Sequence, residues 1–327
     1  QGHITFDGGE NKSLKFVVNS DIPMHASAFY LSRGSENITI TNVLVENGNP
    51  ATKDLTWIPR STYSTVDGFQ FDQDFQELEQ SFNGYSAGIV NRSTIYSETN
   101  VFEFEGETTT ERITFDLDTI PNNNNVFENN EISGFGYGIV SLGMGPLIDP
   151  SDYSYQPYYN ENNIIKNNKI TSVAKAGIFV GHEDGTVIEG NTIYNIDSPE
   201  DAAGIIAGIY DDGDDFGYNN TNLNIIGNSI NDVKASGNVT GILVDQSYNE
   251  YISILGEGYD VFPVGSDNIT VGSNAVWNLE APAGNRVAGI HFMTSRDMNV
   301  TDDLGQLLTP EYGNYTIDGS VVANNTV

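Results

Sequence analysis

Apolar positions along this chain recur in two short phrases, not at a helical period. The first is a glycine followed by a β-branched run: Gly88-Ile89-Val90, Gly138-Ile139-Val140, Gly177-Ile178-Phe179-Val180, Gly208-Ile209-Tyr210, Gly241-Ile242-Leu243-Val244 and Gly289-Ile290-His291-Phe292. The second is an apolar residue, two others, an asparagine, one more residue, then an apolar residue. Its asparagines are Asn130, Asn168, Asn191, Asn228, Asn274 and Asn325. The two phrases alternate through the second half of the chain. Their spacing is uneven, with 31 residues from Gly177 to Gly208, 33 from Gly208 to Gly241 and 48 from Gly241 to Gly289. A stack of helices cannot absorb such differences. A coil of short strands can, because extra residues enter at its corners.

The pattern predicts an all-β fold, a parallel β-helix with three strands of four to six residues in each coil. Residues 177–180, 186–189 and 192–196 are the three strands of one unit. Coils stacked about 4.8 Å apart let each strand pair with its counterparts above and below. The recurrent asparagine suits a corner in two ways. It tolerates left-handed backbone, and its amide can bond to the asparagines of adjacent coils as a ladder. Residues 1–50 are read as first coils and 122–327 as regular coils. The region between, 51–121, is read as coils interrupted by large acidic and aromatic corner insertions, with a short helix near 73–82. Smaller insertions fall at 146–160, 211–220, 248–265 and 296–312.

Composition narrows the function classes. With 45 acidic and 13 basic side chains the net charge is −32, which disfavours nucleic acid and anionic membrane surfaces. No run approaches the 18 apolar residues of a membrane-spanning helix, so no membrane insertion is expected. There is no cysteine, hence no disulfide, thiolate metal site or cysteine nucleophile. The chain starts close to a strand phrase and stops within a repeat, with no capping helix at either end. The expected partners are therefore further coils of a longer parent chain, or stacked subunits.

Acidic residues gather just after the Gly-Ile strand: His182-Glu183-Asp184, Asp211-Asp212-Gly213-Asp214-Asp215 and Asp245-Gln246. Counted from each glycine, Asp212 matches Asp245, Glu183 matches Asp214, and Asp184 matches Asp215. Carboxylates one coil apart repel unless a cation or proton intervenes. Calcium, with six to eight oxygen ligands in flexible geometry, suits Glu183, Asp184, Asp212, Asp214, Asp215 and Asp245. A solvated acidic loop is the alternative, and no cofactor is required. If the chain is an enzyme, Asp212, Asp245 and His182 are the candidate catalytic groups of a paired-carboxylate hydrolase. The only basic cluster, Lys166, Lys169 and Lys175, would serve a lyase, against the repulsion of so acidic a surface for an anionic polymer. The Tyr-rich segment 153–159 is either a sugar-stacking surface or a loop packed on the solenoid.

The alternation of Asn-x-Ile and Gly-Ile-x-Val resembles the right-handed parallel β-helix repeat of pectate-lyase-like proteins. The phrases Ile4-Thr5-Phe6-Asp7-Gly8-Gly9, Asn37-Ile38-Thr39-Ile40-Thr41-Asn42-Val43 and Asn122-Asn123-Asn124-Asn125-Val126-Phe127 are similar to those of long repetitive exoproteins of Bacteroidota-type bacteria, many exported by the type IX pathway. The resemblance implies an extracellular or cell-surface location. The hydrolase signatures Asn-Thr-Asp, Gly-His-Gly and Arg-Ile-Lys are missing, which puts polysaccharide cleavage in doubt. Three readings stand: a non-enzymatic structural or adhesive segment contacting glycans or other surface proteins, a carbohydrate-active enzyme, and a glycan-binding module.

Overall fold

The computed structural model describes residues 3–20, 26–32, 34–49, 86–93, 97–104, 107–114, 121–143, 145–148, 155–208, 220–246, 250–254, 258–262, 268–294 and 320–327. These form three parallel sheets of eight, seven and seven strands, called A, B and C. Seven coils contribute one strand to each sheet in that order, as Ile164–Lys166, Lys169–Thr171 and Ala176–Gly181 do, and Val321–Ala323 adds the eighth strand of sheet A. The chain is therefore an all-β parallel β-helix. No helix among the described residues is long and apolar enough to cross a membrane.

Strict register explains why the same residue types recur. Phe127, Ile165, Ile188, Ile225 and Val271 stack in sheet A. Ile132, Ile170, Ile193, Ile230 and Val276 stack in sheet B. Ile89, Ile139, Ile178, Ile205 and Ile242 stack in sheet C. All are almost inaccessible to solvent and share one continuous core. Burying each of these side chains stabilises the fold by about 1.5–3 kcal/mol. In the first coil the three equivalent positions are all phenylalanine. Phe29 meets Phe6 and Phe16 edge-on at 5.3 and 4.5 Å.

The two sequence phrases are halves of one contact. A Cβ on Gly177 would lie 2.5 Å from Ile193 of the next coil and 2.9 Å from the Gly204 carbonyl. Gly88, Gly138, Gly204 and Gly241 meet Ile132, Ile170, Ile230 and Val276 in the same way. The glycine column is thus the space that the isoleucine of each Asn-x-Ile phrase fills. This corrects one register. The strand glycine of the fifth coil is Gly204, with Ile205 paired to Ile178 and Ile242, and not Gly208. Two Gly-Ile phrases stand four residues apart there. The interval of 13 residues from Asn191 to Gly204 matches that from Asn228 to Gly241.

The asparagine ladder occupies the corner between sheets A and B. The backbone N–H groups of Asn168, Asn191, Asn228 and Asn274 each donate to the Oδ1 of the next ladder asparagine, at 2.9 Å in every case. Their Nδ2 atoms donate to that same Oδ1 at 3.0 Å. Each also donates to a carbonyl of the preceding coil, as Asn191 does to Ile165 at 2.9 Å. Asn130 heads the ladder and Asn325 ends it. The left-handed conformation belongs to the residue before each: Asn129, Asn167, Gly190, Gly227, Ser273 and Asn324. The two tasks assigned to one asparagine are divided between neighbours, because a side chain aimed into the stack needs extended backbone after the bend.

Within 51–121 the strand Ala87–Arg92 belongs to sheet C, whereas Glu107–Thr114 pairs antiparallel with Ser97–Phe104 as a hairpin. The helix expected near 73–82 lies outside the described residues. Two more antiparallel pairs, Gly145–Ile148 with Tyr155–Tyr158 and Glu250–Ile254 with Gly258–Phe262, also leave the corner between sheets C and A. The four central strands of sheet C, Ala87–Arg92, Tyr137–Leu142, Ala176–Gly181 and Ala202–Ala207, are buried on both faces. Their outward residues Val90, Val140, Phe179 and Ile206 form a second apolar cluster with Tyr137 and Leu142.

Candidate functional site

One of the six candidate calcium ligands, Glu183, has no solvent exposure. It stands in a second polar column, at the corner between sheets C and A. There Asn122 N–H donates to Asn160 Oδ1 at 2.9 Å, and Glu183 N–H donates to Asn220 Oδ1 at 3.2 Å. Glu183 pairs in register with Asn160, so it occupies an asparagine's place. Beside it runs a parallel file, Asn125, Asn163 and Thr186, in which Asn125 N–H donates to Asn163 Oδ1 at 2.9 Å.

Both Glu183 oxygens are saturated. Oε1 accepts from Ser141 Oγ at 2.6 Å and Asn160 Nδ2 at 2.9 Å. Oε2 accepts from Thr186 Oγ1 at 2.5 Å and Asn163 Nδ2 at 3.0 Å. The network continues outward, since Asn91 Nδ2 donates to Ser141 Oγ at 2.9 Å and Asn125 Nδ2 to Asn91 Oδ1 at 3.4 Å. Burial pushes the Glu183 carboxyl above the ordinary glutamate value of 4.5, and the four donors oppose that push without cancelling it.

This has a pH consequence. With a folded-state pKa above the unfolded one, the stabilising contribution of the neutral acid is fully present below pH 4.5. It is lost as pH rises through the folded value. Relative to Glu183→Gln, which cannot ionise, the wild-type protein is expected to lose stability across that interval. Urea midpoints of both proteins from pH 4 upward check this. A constant difference between them contradicts it.

Of the other candidates, His182 and Asp245 are not brought together. His182 is buried, in left-handed conformation with φ 51°, and its ring lies 5.6 Å from that of Tyr159. Tyr159, from the Tyr-rich segment, is therefore packed inward. Asp245 is 5% exposed and pairs with Met293. Register places it two coils beyond Gly181, about 10 Å from the His182 corner. Because Gly204 is the true counterpart of Gly241, the fifth-coil position equivalent to Asp245 is Gly208, not Asp212. The matches of Glu183 with Asp214 and Asp184 with Asp215, counted from the same glycine, fall with it. Asp212, Asp214 and Asp215 lie outside the described residues. Among the described residues no three His, Asp or Glu side chains are grouped closely enough to share a metal ion.

Corner carboxylates one coil from an asparagine amide are a repeated device here. Asn42, Asn222 and Asn238 donate Nδ2 to Asp7, Asp184 and Asp201 at 3.0, 2.7 and 3.1 Å, and Asn278 donates to Asp232. Alternating Asp with Asn supplies a donor where a second carboxylate would repel. The Asp7 carboxyl is held below its ordinary value by Asn42 and by the Gly9 N–H, against a small opposing effect of burial. The three lysines also face carboxylates. Lys166 lies 3.3 Å from Glu128, Lys169 3.9 Å from Glu131, and Lys175 4.0 Å from Glu200. Burial lowers the Lys175 pKa, with Asp201 and Glu200 opposing. His291 is lowered too, by burial and then Arg286, with Asp245 opposing.

Sequence reasoning passed over Asn122, Asn125, Asn160 and Asn163. Their signal is the shared spacing of Asn122 to Asn125, Asn160 to Asn163 and Glu183 to Thr186.

No family model matches the sequence, and no curated protein matches it. Among solved structures, the chain is similar to the tailspike protein of E. coli bacteriophage HK620, solved in complex with a pentasaccharide. The TM-score is 0.43 at 9% identity, over 95% of this chain and 37% of that one. It is also similar to the Streptococcus pneumoniae surface protein and adhesin PfbA, with a TM-score of 0.38 at 12% identity, over 89% of this chain and 64% of that one. In both cases it spans less than two thirds of the other chain.

Proposed function

We propose that this chain is a structural and adhesive β-helix segment of an extracellular or cell-surface protein, a stiff spacer whose outer faces make contacts. The observation that carries this reading is where its polar chemistry is spent. Glu183 accepts four hydrogen bonds inside a buried network, and the ladder asparagines bond along the stack axis. Such groups stiffen a rod by tying each coil to the next. The eight strands of sheet A span seven intervals, about 34 Å. Further coils of the parent chain, or stacked subunits, are the partners that would extend it. Calcium at the acidic corners belongs to the same proposal as an accessory: added chelator would then lower the melting temperature.

The test is catalytic and mechanical. Incubation with a panel of neutral and uronic polysaccharides is expected to release neither reducing ends nor unsaturated products. Limited proteolysis is expected to cut the corner insertions and leave the three sheets associated. Release of sugar products that is abolished by Asp245→Asn would overturn the reading in favour of an enzyme.

A further inference from the structure

The four central strands of sheet C are buried on both faces, so the outward faces of A and B are the longer accessible surfaces of the described solenoid. They differ in chemistry. The outward file Thr39, Val126, Ile164, Val187, Asn224 and Thr270 of sheet A carries aliphatic and small polar side chains but no aromatic ring. In sheet B one outward file runs Glu46, Ser133, Thr171, Tyr194, Asn231 and Trp277, in strict register from coil to coil. Trp277 is 48% exposed, and Tyr194 and Asn231 are half-buried. The neighbouring file is small at the same level, with Thr192, Ser229 and Ala275 forming a low floor beside the rings. Further up, a depression is lined by Glu46, Glu131, Ser133, Lys169 and Thr171 together with Leu44 and Ile132.

We infer that this outward file of sheet B is a binding track for a neutral, β-linked hexose polymer lying along the solenoid axis. Three features select that ligand. Tyr194 and Trp277 stand two coils apart, about 10 Å, with one intervening coil between them. That is the advance of a disaccharide, so two pyranose rings separated by one sugar in an extended chain meet the two aromatic side chains. The intervening residue, Asn231, offers a donor and an acceptor to hydroxyls of the sugar between, and the Glu131–Lys169 pair at 3.9 Å does so at the far end. Lys169 also lies 6.0 Å from the Tyr194 ring centre, joining the polar depression to the aromatic stretch. The net charge of −32 selects against uronic or sulfated polymers. A hexose chain presents apolar ring faces and hydroxyl edges, the two chemistries that this file alternates.

The inference rests on the adhesive reading above and names its partner, but the two fail separately. The spacer reading stands or falls on product release and proteolysis, and the track on binding alone. The whole chain is titrated calorimetrically with cellohexaose, chitohexaose and β-mannohexaose, with polygalacturonate as the anionic probe. Binding to at least one neutral hexaose is expected, weakened about ten-fold by Trp277→Ala and by Tyr194→Ala. Trp277→Phe, which keeps a ring, is expected to restore most of it. Tyr30→Ala, which removes an exposed ring from sheet C, is expected to change nothing. All the substituted positions face outward, and circular dichroism confirms that each variant is folded. Absence of binding to every neutral hexaose, binding to polygalacturonate alone, or binding indifferent to Trp277 and Tyr194 would each overturn the proposal.

Discussion

Asn191→Ala is expected to destabilise the protein by about 3–5 kcal/mol. The loss is counted bond by bond. Asn191 Oδ1 accepts the Asn168 N–H at 2.9 Å and its Nδ2 at 3.0 Å. Its own Nδ2 donates to Ile165 O and Asn228 Oδ1. Alanine removes all four contacts and strands a buried N–H and a buried carbonyl, each costing about 1–3 kcal/mol where water cannot reach. Asn191→Asp keeps the acceptors but turns the donor into a second acceptor, so it is expected to be nearly as damaging near neutral pH and milder in acid. Urea unfolding of the three proteins checks the order. A loss below about 1 kcal/mol for Asn191→Ala would mean that the ladder is ornamental and the apolar core alone holds the coils.

The second large effect is steric. Gly177→Ala places a Cβ 2.5 Å from Ile193 Cγ2 and 2.9 Å from the Gly204 carbonyl oxygen. The isoleucine lies in a filled core, and the carbonyl belongs to the next strand of sheet C, so neither can yield cheaply. A cost of about 3 kcal/mol is expected, at the upper end for an overpacked core. Because one of the two clashes is with Ile193, the double variant Gly177→Ala/Ile193→Ala is expected to lose clearly less than the sum of its single variants. Full additivity in that thermodynamic cycle would show that the glycine and isoleucine columns do not press on each other.

The fold was readable because a stacked coil repeats one environment. A position that is inward in one coil is inward in all, so the types at Ile132, Ile170, Ile193 and Ile230 converge. The register at Gly208 was harder to read. Two Gly-Ile phrases compete there, and only the distance from the ladder asparagine separates them. The second polar column was harder still. Glu183 reads as a surface acid because glutamate is almost never fully buried without a partner. Its partners Ser141, Asn160, Asn163 and Thr186 come from three coils, up to 42 residues away in sequence. Nothing local distinguishes such a glutamate from Glu161, which is exposed. What distinguishes it is the asparagine file in which it stands, visible only once the coils are aligned. For the same reason Asp245 and His182, neighbours on a list of chemically able residues, are separated by two coils in space.

The central claim is that the polar groups of this sequence are spent within the stack, tying coil to coil. Residue-resolved hydrogen exchange tests it most directly. The backbone amides of Asn168, Asn191, Asn228 and Asn274 follow left-handed corner residues, and they donate to side chains rather than to a strand ladder. They are expected to exchange as slowly as the central strand amides of Ile178 and Ile205, opening only when the whole solenoid does. Exchange of these four amides at the rate of exposed turns would contradict the account.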